Sequence, residues 1–173
     1  MSLKSSLSLA TFAGALLVAG GSAAQQQAPN PLDAIPDKMP FDIPYGAAIS
    51  LDHAQAAVAE SKKRGWKMNV AVVGPGGHLL AFASMDGAQL ASVSIAQHKA
   101  RAAALYRRET KAFENAVQLA HLEYILTLDD VIASRGGIPL VEGGKLIGAI
   151  GCSGGTGSQD EVVCQAGAAT INK

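Results

Sequence analysis

The sequence predicts an α+β domain: an antiparallel sheet of four or five strands with helices packed against it. Three observations carry this prediction. Two pairs of short apolar runs are each joined by a glycine turn, Gly74-Pro75-Gly76-Gly77 in the first and Gly143-Gly144 in the second. Tight turns join antiparallel neighbours, so two hairpins exclude an all-parallel sheet. Stretches with helical spacing lie before, between and after the hairpins, giving the order α-β-β-α-α-β-β-α.

Each element follows from local chemistry. Ser50 is a helix-capping residue type, and the helix it opens runs to Arg64. Leu51, Ala54, Ala57 and Val58 form its apolar stripe, and Lys62, Lys63 and Arg64 suit the negative end of its dipole. Gly65 stops it. The run KMNVAVV (67–73) reads as a strand and HLLAFASM (78–85) as its return. An Ala-rich helix spans 92–107 and a second helix spans 111–121. Residues 122–134 read as a further helical turn and a loop. Ile138 to Glu142 is a short strand with Pro139 near its start, where proline is tolerated. Lys145 to Gly151 is the next strand, and 153–157 is a glycine-rich loop. Ser158, with Glu161 three residues on, predicts a capping box for a last helix ending near Ile171.

The N-terminus carries a different signature. Lys4 is the one charge in the first 24 residues, Leu7 to Gly21 is an apolar run diluted by Ser, Thr and Gly, and Ser22-Ala23-Ala24 supplies small residues. These are the three regions of a cleavable secretory signal, with cleavage near Ala24. The run is too short and interrupted for a membrane anchor, which needs about 20 apolar residues. Removing 24 of 173 residues leaves 149, enough for one domain with a real core. Residues 25–48 form an arm with five prolines, Pro29, Pro31, Pro36, Pro40 and Pro44, a density that blocks helix. The domain itself occupies 49–173. The expected location is periplasmic or secreted.

Losing Lys4 leaves 13 basic against 14 acidic residues. A near-neutral chain has no electrostatic footprint for nucleic acid or an anionic membrane. No segment beyond the signal is long and apolar enough to span. The two cysteines, Cys152 and Cys164, suggest one disulfide in an oxidising compartment, contributing about 3 kcal/mol. Two buried free thiols remain the alternative. There is no Cys-x-x-Cys-His motif for covalent haem and no Cys/His spacing for zinc.

Three constellations could carry chemistry. His98, Arg101, Leu105 and Arg108 are spaced as one helical face, flanked by Lys99 and Arg107 and followed by Thr110. A cationic face beside a hydroxyl could bind a carboxylate or propionate; a plain solvated face is the alternative. The second is Gly151-Cys152-Ser153-Gly154-Gly155-Thr156-Gly157-Ser158, which runs into a helix. Backbone N–H groups at a helix start favour an anion, so Ser153, Gly154 and Gly155 are a candidate ligand loop; a tight connection is the alternative. It lacks the Gly-Lys-Ser/Thr ending of a phosphate loop. It matches Gly-x-Ser-x-Gly, but no histidine follows Ser153, against a nucleophile elbow. The third is Asp129, Asp130, Asp160 and Glu161, which could hold a hard cation or serve as dipole partners. His53 and His121 stand in no usable pattern.

Three stretches together resemble the GlcG/HbpS-like family, also called the haem-degrading domain family. They are KMNVAVVGPGGHLLAFASMDGA, HKARAAALYRRET and SRGGIPLVEGGKLIGAIGCSGGTGSQDEVVCQAG. The resemblance covers residues 47–171. It implies a profilin-like or PAS-like fold and a homo-oligomer, often an octamer. It also implies non-covalent haem binding outside the cytoplasm, with slow oxidative haem breakdown. Thr110 matches the position that contacts haem iron, Arg101, Arg107 and Arg108 are the nearby candidates for the propionates, and His98 is a further cofactor-binding candidate. A neutral alcohol is a weak iron ligand, so such haem would be ferric and loosely held. Two other functions stay open. One is an accessory module for another tetrapyrrole, such as a corrinoid, or for a small anion. The other is an enzyme acting on a small organic acid through the Gly-rich loop.

Overall fold

A computed structural model describes residues 51–172. The expected signal peptide, the proline-rich arm and the Ser50 cap lie outside the described residues. The elements are α1 (Leu51–Arg64), β1 (Asn69–Val73), β2 (Leu79–Ser84), α2 (Ser92–Tyr106), α3 (Lys111–Gln118), β3 (Gly137–Glu142), β4 (Lys145–Ser153) and α4 (Gly157–Ala168). A 3-10 turn, Glu123–Thr127, fills part of the segment between α3 and β3. The order is the expected one, and among the described residues the sheet has four strands, all antiparallel, in the order β2-β1-β4-β3.

Side chains alternate across the two faces of this sheet. Val70, Val72, Ile150 and Cys152 point to one face, where α1 and α4 cover them with Ala54, Ala57, Val163 and Cys164. Ala71, Val73 and Ala149 point to the other, beneath Ala96, Ala100, Ala103 and Ala104 of α2. The second layer is built of small residues because α2 lies very close to the sheet. A β-carbon at Gly151 would fall on the carbonyl oxygen of Ala96, and one at Gly137 on that of Lys99. The Cys152–Cys164 disulfide ties β4 to α4, both residues being fully buried. The expected bridge is therefore formed.

Three helices end earlier than expected, α2 at Tyr106, α3 at Gln118 rather than His121 and α4 at Ala168 rather than near Ile171, and one helix start differs. The cap of α4 is Thr156, not Ser158. Thr156 Oγ1 accepts from the Gln159 N–H, and Gln159 Oε1 accepts from the Thr156 N–H at 2.9 Å. The helix starts at Gly157, so Ser158 is already inside it and Glu161 is free for ion pairs.

The outer edge of β3 is closed. The Gly137 N–H donates to Thr110 Oγ1 at 2.9 Å, and the Gly137 carbonyl accepts from the Thr110 N–H at 3.0 Å. Further along, Asn172 donates to the Pro139 carbonyl and accepts from the Val141 N–H, at 2.9 and 2.8 Å. Proline at 139 has no N–H to satisfy.

Candidate functional site

The cationic face expected on α2 is divided among three depressions. Arg107 adopts a left-handed backbone, φ 52°, which ends α2 at Tyr106 and takes Arg108 off the helical face. His98 and Arg101 line a cleft of about 450 Å³ with Val73, Gly77, His78 and Asp130. Arg101 is held there by an ion pair with Asp130 at 2.8 Å. Arg108 borders a third depression and stacks its guanidinium over the Phe113 ring, 5.9 Å from the centroid.

Arg107 instead lines a groove of about 720 Å³ between the end of α2 and the β3–β4 hairpin. Its apolar wall includes Pro75, Leu105, Pro139, Val141 and Leu146, and Lys145 supplies a second cation. Lys145 is a residue the sequence reading missed. Its signal was a lysine immediately after the Gly143-Gly144 turn, which a hairpin projects at the sheet's end. Among the described residues neither Arg107 nor Lys145 has a carboxylate partner.

Lys99, expected as a flanking surface cation, is buried. Its ammonium lies 2.7 Å from Asp160 Oδ2, with side chains 1% and 4% exposed. Asp160 Oδ1 also accepts from the Gly155 N–H at 3.0 Å, and the Gly154 N–H contributes as well. Burial pushes the Asp160 carboxyl above its ordinary value, against the opposing pull of Lys99 and these N–H groups. The candidate loop is thereby corrected. The anion held by Gly154 and Gly155 is the protein's own carboxylate. Ser153 is a buried residue of β4, opposite Asn69. A β-carbon on Gly154 would collide with the Lys67 carbonyl, so the loop is a tight connection.

Glu161 and Glu114 are also partnered. Glu161 receives Lys111 at 2.8 Å and Arg135 at 3.4 Å. Glu114 binds the Arg135 side chain at 2.6 Å and its backbone N–H at 2.7 Å. Burial acts to raise the Glu114 carboxyl, but these Arg135 contacts outweigh it and hold the carboxyl below its ordinary value. The Asp129 carbonyl accepts from Tyr106 Oη at 2.6 Å. Among the described residues no three His, Cys, Asp or Glu gather for a metal ion.

Thr110, the position that the resemblance sets against haem iron, takes part in the fold itself. It is fully buried, and its oxygen caps the Gly137 N–H beneath α2. The hydroxyl faces into the fold in this protomer. His53, without a pattern in the sequence, is 2.5 Å from Thr170 Oγ1 through Nδ1, between α1 and the C-terminal turn. His121 is exposed, 3.8 Å from Glu123.

An antiparallel sheet between helical layers, with an apolar groove carrying two cations that have no carboxylate partner among the described residues, defines an α+β domain with a candidate ligand groove. The chain belongs to the HbpS-like family: residues 48–169 match the model described as haem degrading protein HbpS-like. It is 41% identical over 109 residues to Protein GlcG of Escherichia coli K12, a match covering 61% of this chain and 81% of GlcG. Its fold is similar to a double mutant of Streptomyces reticuli HbpS, at TM-score 0.66 and 28% identity, covering 73% of this chain and 89% of that one. It is also similar to the structure of a PduOC–haem complex, at TM-score 0.64 and 30% identity, covering 73% and 96%.

Proposed function

We propose that this chain is an exported, self-associating haem-binding protein whose tetrapyrrole sits in the groove bearing Arg107 and Lys145. The groove is the observation that carries the reading: an apolar wall suited to a macrocycle, beside two cations suited to propionates. The likeness to the PduOC–haem complex supports the choice of ligand. Export rests on the N-terminal pattern of residues 1–24.

The residues present fit the porphyrin and its carboxylates. They fit the iron less well, since among the described residues no His, Cys, Met or Tyr lines this groove. Bound haem would supply a redox-active iron. The chain's own residues shield one macrocycle face and fix its anionic edge. The same groove accepts an iron-free tetrapyrrole or another amphipathic carboxylate, which is the second reading. The organic-acid enzyme loses its basis, because the N–H groups it would use already hold Asp160.

The test is a haem titration of residues 25–173, read by absorbance. Wild type is expected to give a saturable Soret shift, and R107A/K145A to weaken it about tenfold or more. Loss of the band after peroxide addition reads breakdown separately. No saturable shift in wild type overturns haem, and an equal titration with protoporphyrin IX then reads the second possibility. Export is checked by fractionating cells that express the full chain: a periplasmic or secreted product beginning at Gln25 supports it, and an uncleaved product overturns it.

A further inference from the structure

The two edges of the sheet are unlike. β3 is closed by Thr110 and Asn172, whereas β2 has no hydrogen-bonding partner on its outer side among the described residues. Its outward groups can be assigned. The Met85 N–H donates to the Met68 carbonyl, which fixes the alternation of the β1–β2 ladder. Ala83 and Ala81 then bond to Val70 and Val72, and Ser84 and Phe82 turn their N–H and C=O groups outward. Leu80 is the extra residue of a bulge, with no partner in β1.

Among the described residues this edge also lacks the usual guards. Residues 79–84, LLAFAS, contain no charge and no proline, and Leu79 and Leu80 are 48% and 57% exposed. An open, uncharged, apolar edge is a template for another strand.

We infer that β2 pairs antiparallel with β2 of a second copy of this chain, about a two-fold axis at Phe82, forming one eight-stranded sheet. This gives the self-association proposed above a specific contact. A two-fold pairing needs only a self-complementary strand, and this one is. Phe82 of each copy exchanges both backbone hydrogen bonds with its counterpart, and Leu80 comes opposite Ser84 of the second copy. The His78 end of each strand lies beside the Asp86 end of the other, so an imidazole meets a carboxylate and no like charges meet. A different partner strand would have to match this same neutral register.

The test is oligomeric mass by light scattering, on the full mature chain. Leu80 and Ser84 are both exposed, so charges there leave the protomer's core intact. L80E/S84E places glutamates opposite glutamates, and L80K/S84K lysines opposite lysines. Each variant alone is expected to show half the wild-type mass, and their equimolar mixture to recover it. Amide exchange gives a readout without mutation: the Phe82 and Ser84 N–H groups are expected to be protected in the assembled protein and to exchange fast on dilution to protomers. A wild-type oligomer whose mass neither variant changes, or whose Phe82 and Ser84 amides exchange fast, overturns the β2 contact alone. A wild-type monomer at micromolar concentration overturns self-association as well.

Discussion

Lys99 and Asp160, 61 residues apart in sequence, meet as a buried ion pair at 2.7 Å between α2 and the first turn of α4. Breaking such a pair from one side leaves an uncompensated buried charge. K99M and D160A are each expected to lose about 3–5 kcal/mol of stability. The double variant K99M/D160L removes both charges and is expected to recover most of that loss. Urea denaturation of the three proteins checks this.

Thr110 closes the start of β3 through its side-chain oxygen. T110V removes the acceptor and strands the buried Gly137 N–H, at a cost of about 1–3 kcal/mol. T110S keeps the oxygen and is expected to stay within about 1 kcal/mol of wild type. Both are expected to titrate with haem as wild type does, read by absorbance. A lost or moved Soret band in T110V with the T110S band intact would return Thr110 to the haem site.

The Cys152–Cys164 bridge closes a short loop, 12 residues apart in sequence. C152A/C164A is expected to be less stable by about 3 kcal/mol in the chain-entropy view. Because both cysteines are fully buried, native protein is expected to resist thiol reductants until it unfolds. Free-thiol titration, with and without urea, measures this.

The Arg135–Glu114 contact sets an acid limb. Glu114 titrates below its ordinary 4.5 in the folded state, so its contribution is complete above that pH and is lost as pH falls through the lowered value. Asp160 runs the other way. Its raised pKa gives stability that is largest below 3.8 and declines as pH rises through the folded value. E114Q removes the first slope only. Between pH 5 and 3 its urea midpoint is expected to fall less steeply than that of wild type.

The architecture was legible because glycine turns and helical stripes are local signals. GPGG and Gly143-Gly144 fixed both hairpins, and Gly65 fixed the end of α1 at φ 71°. The site was less legible because its residues are set by contacts across the chain. Extending the helix through Arg108 assumed regular backbone, and the left-handed Arg107 broke that face. Lys99 read as surface by charge, yet it stands three residues after Ala96 and four before Ala103, on the stripe that meets the sheet. That spacing was available in the sequence; its buried partner, Asp160, was not. The glycine loop was legible as a run of free N–H groups, but the carboxylate that takes one of them, Asp160, lies five residues downstream of Gly155 and belongs to the chain itself.

The closed edge of β3 has a consequence for growth. A subunit able to add neighbours on both sides can polymerise without limit, and one able to add on a single side stops at a pair. Thr110 and Asn172 act as terminators: they spend the hydrogen bonds that a third sheet would need. Trimming the chain before Asn172 would free the Pro139 carbonyl and the Val141 N–H. A finite particle would then acquire the valence of a fibre.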